Sequence, residues 1–221
     1  MKYRFLLSIT LAIFYSCGIQ YDGETKLEIV GKLIDKNGNP VPNEIINIYV
    51  LGDDSIIYGG GGLYNELISF GVTNNKGEFQ FLIPSPKVEN NLSIEIGEKY
   101  NPTKTILFKN SNFINYKLNL NAISVFKETD LVEFRINLNN TNLNKTIQDI
   151  KIVGIQNETI VNLNPKNIES YYNQVLFYNV LKNQTVILKY KLIDFANNGV
   201  IQEFSENISI LDNNEEFTIT Y

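Results

Sequence analysis

The feature that most constrains the fold is a two-residue alternation of apolar and polar side chains along many short segments. The clearest apolar positions are Val132, Phe134, Ile136 and Leu138 in one segment and Val186, Leu188, Tyr190 and Leu192 in another. A period of two is typical of a strand with one buried face. Such segments recur about every 8–12 residues, with turn-forming residues between them, which is the pattern of an antiparallel β-sandwich. The sequence therefore predicts an all-β protein.

Composition and length agree with this prediction. Alanine is scarce in the 221 residues, whereas isoleucine, tyrosine and phenylalanine are common. Few alanines and many β-branched and aromatic residues favour strands over helices. The length leaves room for one large domain or two small ones.

The N-terminus has the three parts of a secretory signal peptide. Lys2 and Arg4 give it a basic start, residues 5–15 form a mostly apolar run, and small residues follow. The run is shorter than the roughly 20 apolar residues that a membrane-spanning helix needs. We therefore predict a signal peptide over residues 1–16.

Cys17 is the only cysteine of the chain, and it comes directly after this run, between Ser16 and Gly18. The arrangement resembles the lipobox of bacterial lipoproteins, in the relaxed form found in Bacteroidota. The resemblance implies cleavage before Cys17 and attachment of diacylglycerol to its thiol. It also implies an exported protein held by lipid on the bacterial cell envelope, at the outer membrane. An ordinary signal peptide with an incidental cysteine is the alternative.

The charge and the missing residue types exclude several functions. The chain has 19 basic and 24 acidic residues, a net charge of −5, and losing Lys2 and Arg4 with the signal peptide takes this to about −7. Nucleic acids and anionic lipid headgroups require a basic surface and are not expected as partners. Histidine is absent, which excludes triads with a histidine base and zinc sites built from histidine. Paired carboxylates remain formally open, but acids such as Glu215 and Glu216 fall in predicted turns. We predict no enzyme, no cofactor and no metal.

Two spaced half-motifs stand in the first half of the chain, "GKLIDKNGNPVPN" and "GVTNNKGEFQF". They resemble the carboxypeptidase regulatory-like, or transthyretin-like, domain. The matching positions are Gly31, Asp35, Gly38, Pro40, Val41, Pro42, Thr73, Gly77 and Phe79. The resemblance covers residues 27–109 and implies a small antiparallel β-sandwich without catalysis. Residues 17–26 before it are predicted to be a tether.

The first half-motif also has a calcium-like spacing. Asp35, Asn37 and Asn39 alternate as in the first half of a calcium-binding loop. Such a loop needs glycine at its sixth position and glutamate at its twelfth. Pro40 and Ile46 occupy those positions, so the segment is interpreted as a structural turn.

The segment 52–70 between the half-motifs is longer than is usual for that family. It includes four consecutive glycines, and its candidate binding-loop residues are Tyr58, Leu63, Tyr64 and Phe70. A phosphate-binding loop is not expected, because the required lysine and hydroxyl are missing. Loops on a rigid scaffold often carry recognition, although aromatic side chains here could equally cover the edge of the sandwich.

The second half contains "TDLVEFRINLNNTN" followed by "VLKNQTVILKYKLID". These segments resemble the immunoglobulin-like conserved-repeat modules of bacterial surface proteins. The matching positions are Asp130, Val132, Phe134, Asn140, Thr141, Leu181 and Tyr190, while Asn142 and Asn183 replace the usual glycines. The resemblance implies a second, immunoglobulin-like β-sandwich over residues 110–221, which acts as a spacer or an adhesive unit.

One short motif concerns modification. Residues 54–56 match a three-residue acceptor motif that resembles the O-glycosylation signal of Bacteroidota, with Ser55 as the acceptor. Motifs of this length arise often by chance, so Ser55 is a candidate only.

Together these features predict a membrane-anchored envelope lipoprotein that binds a protein or glycan partner without catalysis. The alternative is a passive structural spacer or scaffold subunit of an envelope complex. An exposed apolar patch of more than a few hundred Å² near the 52–70 segment would favour binding. The sequence gives no indication of the oligomeric state.

Overall fold

The computed structural model describes residues 19–51, 65–87, 91–97, 103–165 and 174–221. Within these ranges the regular structure consists of strands and three short 3₁₀ turns. The predicted all-β class is therefore confirmed. In the same ranges, no helix has the length and apolar character needed to span a bilayer.

The strands range from three to fourteen residues in length. They are β1 (Tyr21–Ile34), β2 (Ile45–Leu51), β3 (Asn65–Val72), β4 (Glu78–Pro86), β5 (Asn91–Ile96), β6 (Lys104–Lys109), β7 (Lys117–Ser124), β8 (Leu131–Asn139), β9 (Lys145–Val153), β10 (Ile160–Asn162), β11 (Val175–Leu181), β12 (Gln184–Asp194), β13 (Val200–Ile210) and β14 (Glu215–Thr220). The 3₁₀ turns cover Asn110–Asn112, Glu128–Asp130 and Phe195–Asn197.

Two sheets enclose the first hydrophobic core. Sheet A has the strand order β4-β1-β7, and sheet B has the order β10-β6-β5-β2-β3. Every second residue of β2 is buried. Fully buried side chains from both sheets meet in the core, among them Ile29 and Ile83 from sheet A and Ile48, Leu92 and Phe108 from sheet B. The two sheets therefore form a β-sandwich.

Two further sheets enclose a second core. Sheet C has the order β11-β8-β14, and sheet D has the order β13-β12-β9. The fully buried residues of this core include Phe134 and Ile136 from sheet C and Ile147 and Leu188 from sheet D. The alternation in β8 and β12 that the sequence shows is the alternation that fills this core.

Three strand pairs run parallel, which the predicted antiparallel sandwiches did not include. They are β1 with β7, β6 with β10 and β8 with β14. In each pair the chain leaves the sheet and returns after several other strands, and parallel neighbours require such long connections. Hydrophobic periodicity carries no information on strand direction, so the sequence could not distinguish these pairs.

Two strands extend beyond the segments in which they were expected. β1 begins inside the predicted tether, because Tyr21 packs against the first core and faces Pro86 across the sheet. β7 follows the predicted boundary at residue 109, yet its Leu118 and Ile123 belong to the first core. The division into domains at these residue numbers stays a prediction.

Each of the two transthyretin-like half-motifs contains a turn, and in each turn a side-chain oxygen accepts hydrogen bonds from the backbone. The Asp35 carboxylate accepts hydrogen bonds from the backbone amides of Asn37 and Asn39, each at 2.8 Å. Asn74 Oδ1 accepts one from the amide of Lys76, also at 2.8 Å. The alternating Asp and Asn residues of the first turn therefore have a structural role, because they satisfy the backbone where the chain reverses.

A strand from the second half of the chain completes a sheet of the first half. β10 adds in parallel to the edge of β6, and the side-chain amides of Asn112 and Asn164 exchange hydrogen bonds, the shorter at 2.6 Å. Lys36 and Asp130 form an ion pair at 2.7 Å. We call the β6–β10 pairing together with the Asn112–Asn164 pair the seam. The seam connects the two halves through backbone as well as side chains.

Lys104, at the start of β6, is a buried cation with an exposed fraction of 8%. Burial lowers the pKa of its ammonium group, and the negative charge of Glu158 opposes the shift. Because the unfolded chain binds this proton more tightly than the folded one, stability should rise as the pH increases through the folded pKa toward the ordinary lysine value.

We therefore expect Lys104→Met to raise the melting temperature at neutral pH and to flatten its rise in the alkaline range. Thermal unfolding followed at several pH values between about 7 and 10 measures both effects. Lys151→Met is the matched control, since Lys151 is exposed on β9. Equal pH profiles for the two variants would contradict the expectation.

Candidate functional site

One predicted binding residue can be placed in the structure. Phe70 lies near the end of β3. The predicted site residues outside the described part of the chain are Cys17, Ser55, Tyr58, Leu63 and Tyr64. Lipidation, O-glycosylation and contacts by the 52–64 segment therefore stay predictions, and the site is built from β3 and its neighbours.

β3 is the edge strand of sheet B. It pairs with β2 along its whole length, and its opposite side faces no strand of the described ranges. An edge of this kind presents a row of unpaired backbone N–H and C=O groups, which can bind another extended segment.

A bulge in β3 determines which side chains face outward. Ser69 lies opposite Ile48 and Leu67 lies opposite Tyr49, so Ile68 is an extra residue in the strand. Ile68 packs against the first core. The inserted residue shifts the alternation by one position, so that Leu67 and Phe70, three positions apart, lie on the same face of the sheet.

Three large apolar side chains of β3 are exposed on this face. The exposed fractions are 74% for Phe70, 58% for Val72 and 48% for Leu67. The half-buried Tyr49 and Leu51 on β2 continue the same face toward the middle of the sheet. We call Leu67, Phe70 and Val72 the apolar strip. Contiguous exposed apolar side chains on a folded protein are typical of an interaction site.

Several other sheet edges carry features that discourage strand addition. β4 has Pro84 and Pro86, which cannot donate to a neighbouring strand. β14 carries Glu215 and Glu216, and β10 has only three residues. Charge, proline and short length are the usual protections of an edge. β3 has eight residues, no proline and a single charge, Glu66, and its bulge is its main protection. β11, an edge strand of sheet C, has neither charge nor proline.

The Tyr49 phenol, a polar group beside the apolar strip, stays uncharged at neutral pH. Burial raises the pKa of the Tyr49 phenol, and the charge and hydrogen-bond acceptance of Glu95 raise it further. The phenol remains a donor to Glu95. The face beside the strip therefore carries the hydrogen-bonded Tyr49–Glu95 pair, and Asn47, opposite Phe70, is a further polar side chain on it.

Of the acids considered for catalysis, Glu215 and Glu216 begin β14 and do not lie in the predicted turn. Glu216 and Glu133 both form ion pairs with Arg135, at 2.7 and 2.9 Å, and the Arg135 guanidinium lies 5.2 Å from the ring centre of Phe177. This network is at the outer face of sheet C. Within the described ranges, no three acidic, cysteine or histidine side chains are grouped so as to hold a metal ion.

Sequence reasoning found Phe70 but missed Leu67 and Val72. The alternation in the sequence places Leu67 and Phe70 on opposite faces, because three positions separate them, and the bulge at Ile68 reverses this. The pattern gave no separate signal for a strand before Phe70. A bulge leaves no reliable trace in the hydrophobic pattern, so the strip is visible only in the folded chain.

Comparison with known proteins gives structural likeness only. No family model matches the sequence, and no curated protein matches it. Among solved structures, 3-chlorocatechol 1,2-dioxygenase from Rhodococcus opacus is similar with a TM-score of 0.34 and 11% identity, over 51% of this chain and 62% of the dioxygenase chain. The chain thus spans less than two thirds of that enzyme.

Two surface-protein structures are similar at the same level. A shaft pilin from Lactobacillus rhamnosus GG has a TM-score of 0.35 and 9% identity, over 89% of this chain and 98% of the pilin. The Bacillus anthracis TIE protein has a TM-score of 0.32 and 16% identity, over 89% of this chain and 34% of that one. At these TM-scores none of the three likenesses carries an argument about function.

Proposed function

We propose that this protein is a non-catalytic interaction module of the bacterial cell envelope, held on the membrane by lipid at Cys17, that binds a protein partner by strand addition at β3. The observation that carries the proposal is the edge of β3, which faces no second strand among the described residues, together with its apolar strip. Strand addition uses both features, because the backbone of the edge supplies hydrogen bonds and the side chains supply apolar contact.

The chemistry of the edge defines the partner segment. It is extended, so that its N–H and C=O groups reach those of β3, and it has apolar side chains that cover Phe70 and Val72. Glu66 is the one charge on β3. A basic residue opposite Glu66 would fix the register of the added strand, since charges in an interface contribute to register and specificity.

A second candidate function is a rigid spacer, and the seam favours it. β10 and the Asn112–Asn164 pair connect the two halves of the chain through backbone and amide hydrogen bonds. Because β10 joins sheet B, the two halves are connected more rigidly than by a flexible linker. Such a connection would hold a distal segment at a more constant distance from an anchor. This candidate requires no partner at β3.

Site-specific photocrosslinking distinguishes the two candidates. A photoreactive phenylalanine analogue replaces Phe70 in the full-length protein, expressed in its native cells. The matched control places the same analogue at Leu82, an apolar position on the proline-containing edge strand β4 with an exposed fraction of 61%. Binding at β3 predicts an adduct of one discrete mass from position 70 and none of that mass from position 82.

A charge introduced beside the probe tests whether the apolar strip takes part. Adding Val72→Asp to the position-70 probe should lower the adduct yield by about tenfold, because the contact would then bury an unpaired carboxylate. No discrete adduct from position 70 would favour the spacer. The same adduct from positions 70 and 82 would contradict binding at β3.

A further inference from the structure

The outer face of sheet A carries a groove of about 550 Å³. This volume lies within the roughly 300–1,000 Å³ of small-molecule sites in proteins. The groove belongs to a different sheet from β3 and has no residue in common with the apolar strip.

A bulge in the pairing of β1 with β7 forms the groove. Val30 lies opposite Asn119 and Lys32 lies opposite Ala122, so β7 has one residue more than β1 between these pairs. Asn121, in the bulge, has a φ of 55°, and its amide donates to Asn119 Oδ1 at 2.9 Å. Bulges bend the strand that carries them and redirect its side chains, and they are frequent beside functional sites.

The lining combines an aliphatic floor with a rim of donors and acceptors. Val30 and Ala122 belong to the floor, and the polar rim includes Lys32, Glu78, Gln80, Asn119 and Asn121. One positive and one negative charge balance each other on the rim. Neither an anionic nor a cationic ligand is favoured by the net charge of such a site.

Several rim groups remain available to a ligand. Gln80 uses its Nε2 in a 2.6 Å hydrogen bond to Glu28, which leaves its Oε1 as an acceptor. Asn74 Nδ2 donates to one oxygen of Glu78 at 3.1 Å, which leaves the other oxygen. Within the described ranges the Asn121 side chain makes no hydrogen bond and Lys32 makes no ion pair.

From this lining we infer that the groove is a binding site for a neutral glycan. Each sugar hydroxyl donates and accepts, which suits a rim that mixes free donors with free acceptors. The aliphatic floor matches the C–H face of a sugar ring, and the balanced charge suits a ligand without carboxylate or sulfate groups. Glycan binding in this groove does not depend on strand addition at β3.

The affinity of a single sugar unit for this groove is low. Its lining includes one aromatic residue, Phe79, whose side chain is buried. Because no exposed aromatic ring of the described residues lines the groove for a sugar to stack on, the binding energy comes mainly from hydrogen bonds. Each of these replaces a hydrogen bond to water and therefore contributes little. We expect a dissociation constant on the order of 1 mM for a short oligosaccharide, so a polymer with many equivalent units is the suitable probe.

Affinity electrophoresis with the full-length protein in mild detergent tests the inference. Native gels contain dextran, mannan, galactan or xylan as neutral probes, and polygalacturonate or chondroitin sulfate as acidic ones. Retardation by at least one neutral polymer is expected. Ala122→Arg, which fills the groove, should weaken that retardation by at least about fivefold, and Asn121→Gly should weaken it without straining the positive φ.

Ser205→Arg is the matched control, because it adds the same charge at an exposed position of β13 in sheet D. It should leave the retardation unchanged, and melting curves should show all three variants folded. No retardation in any neutral polymer, retardation only in the acidic ones, or equal retardation of wild type and Ala122→Arg would overturn the inference. If the two sites are separate, Ala122→Arg should not change photocrosslinking at position 70. Protein binding at β3 and glycan binding in the groove can therefore fail or succeed independently.

Discussion

Gly77→Ala should lower the free energy of unfolding by about 3 kcal/mol or more. Gly77 has a φ of 73°, and a Cβ added there would lie 2.5 Å from the backbone oxygen of Leu33 and 3.0 Å from the backbone nitrogen of Val41. Backbone atoms cannot rotate away as a side chain can. The Gly77 carbonyl also accepts the Leu33 amide at 2.8 Å, so a shift of the turn would break a bond that joins it to β1.

Gly38→Ala separates the cost of a positive φ from the cost of the close contact with Leu33 and Val41. Gly38 has a similar φ of 80°, but a Cβ added there meets nothing within 4 Å. It should therefore cost only the strain of a left-handed alanine, about 1–2 kcal/mol. Thermal unfolding of both variants measures the difference, at about 2–4 °C for each kcal/mol in a chain of this size. Equal melting temperatures would show that the contact with Leu33 does not matter.

Cys17→Ala should move the protein almost completely from the membrane fraction to the soluble fraction. The acyl chains predicted on this thiol contribute about 0.8 kcal/mol for each buried methylene, and several chains together hold a protein firmly. Cell fractionation with a C-terminal tag measures the shift. Ser8→Ala, in the apolar run of the signal peptide, is the control and should fractionate as wild type does. A Cys17→Ala variant that stays with the membrane would contradict the lipid anchor.

Protease shaving of intact cells then shows which side of the outer membrane the anchored protein faces. Cleavage of the wild type from outside indicates a surface lipoprotein, whose β3 partner is to be sought outside the cell. Protection indicates a periplasmic protein, for which a role inside an envelope complex is the simpler explanation.

The parts of the fold that follow from local pattern could be predicted from the sequence. The alternation in β8 and β12 identifies strands and their buried faces, and turn residues such as Asp35 and Gly38 mark a reversal that the structure contains. These features depend on residues close together in the chain. The chain direction within each sheet depends on residues far apart, which is why the parallel pairing of β1 with β7 was not foreseen.

The candidate sites lie where local pattern fails. The apolar strip requires a bulge at Ile68, and the groove on sheet A requires another beside Asn121. Each adds one residue to a strand and so breaks the period on which the sequence argument depends. β10 escapes prediction for a different reason, because three residues are too few to show any period.

The seam also has a consequence for the order in which the chain folds. β6 is complete before β10 has been synthesised, and roughly fifty residues separate them, so the fifth strand of sheet B arrives late, and contacts between distant residues slow folding. Until then β6 has an unpaired edge. A truncation after the first core would leave that edge permanently exposed and prone to pair with other chains. The second half of the protein therefore covers an edge of the first half through β10, as well as forming its own core.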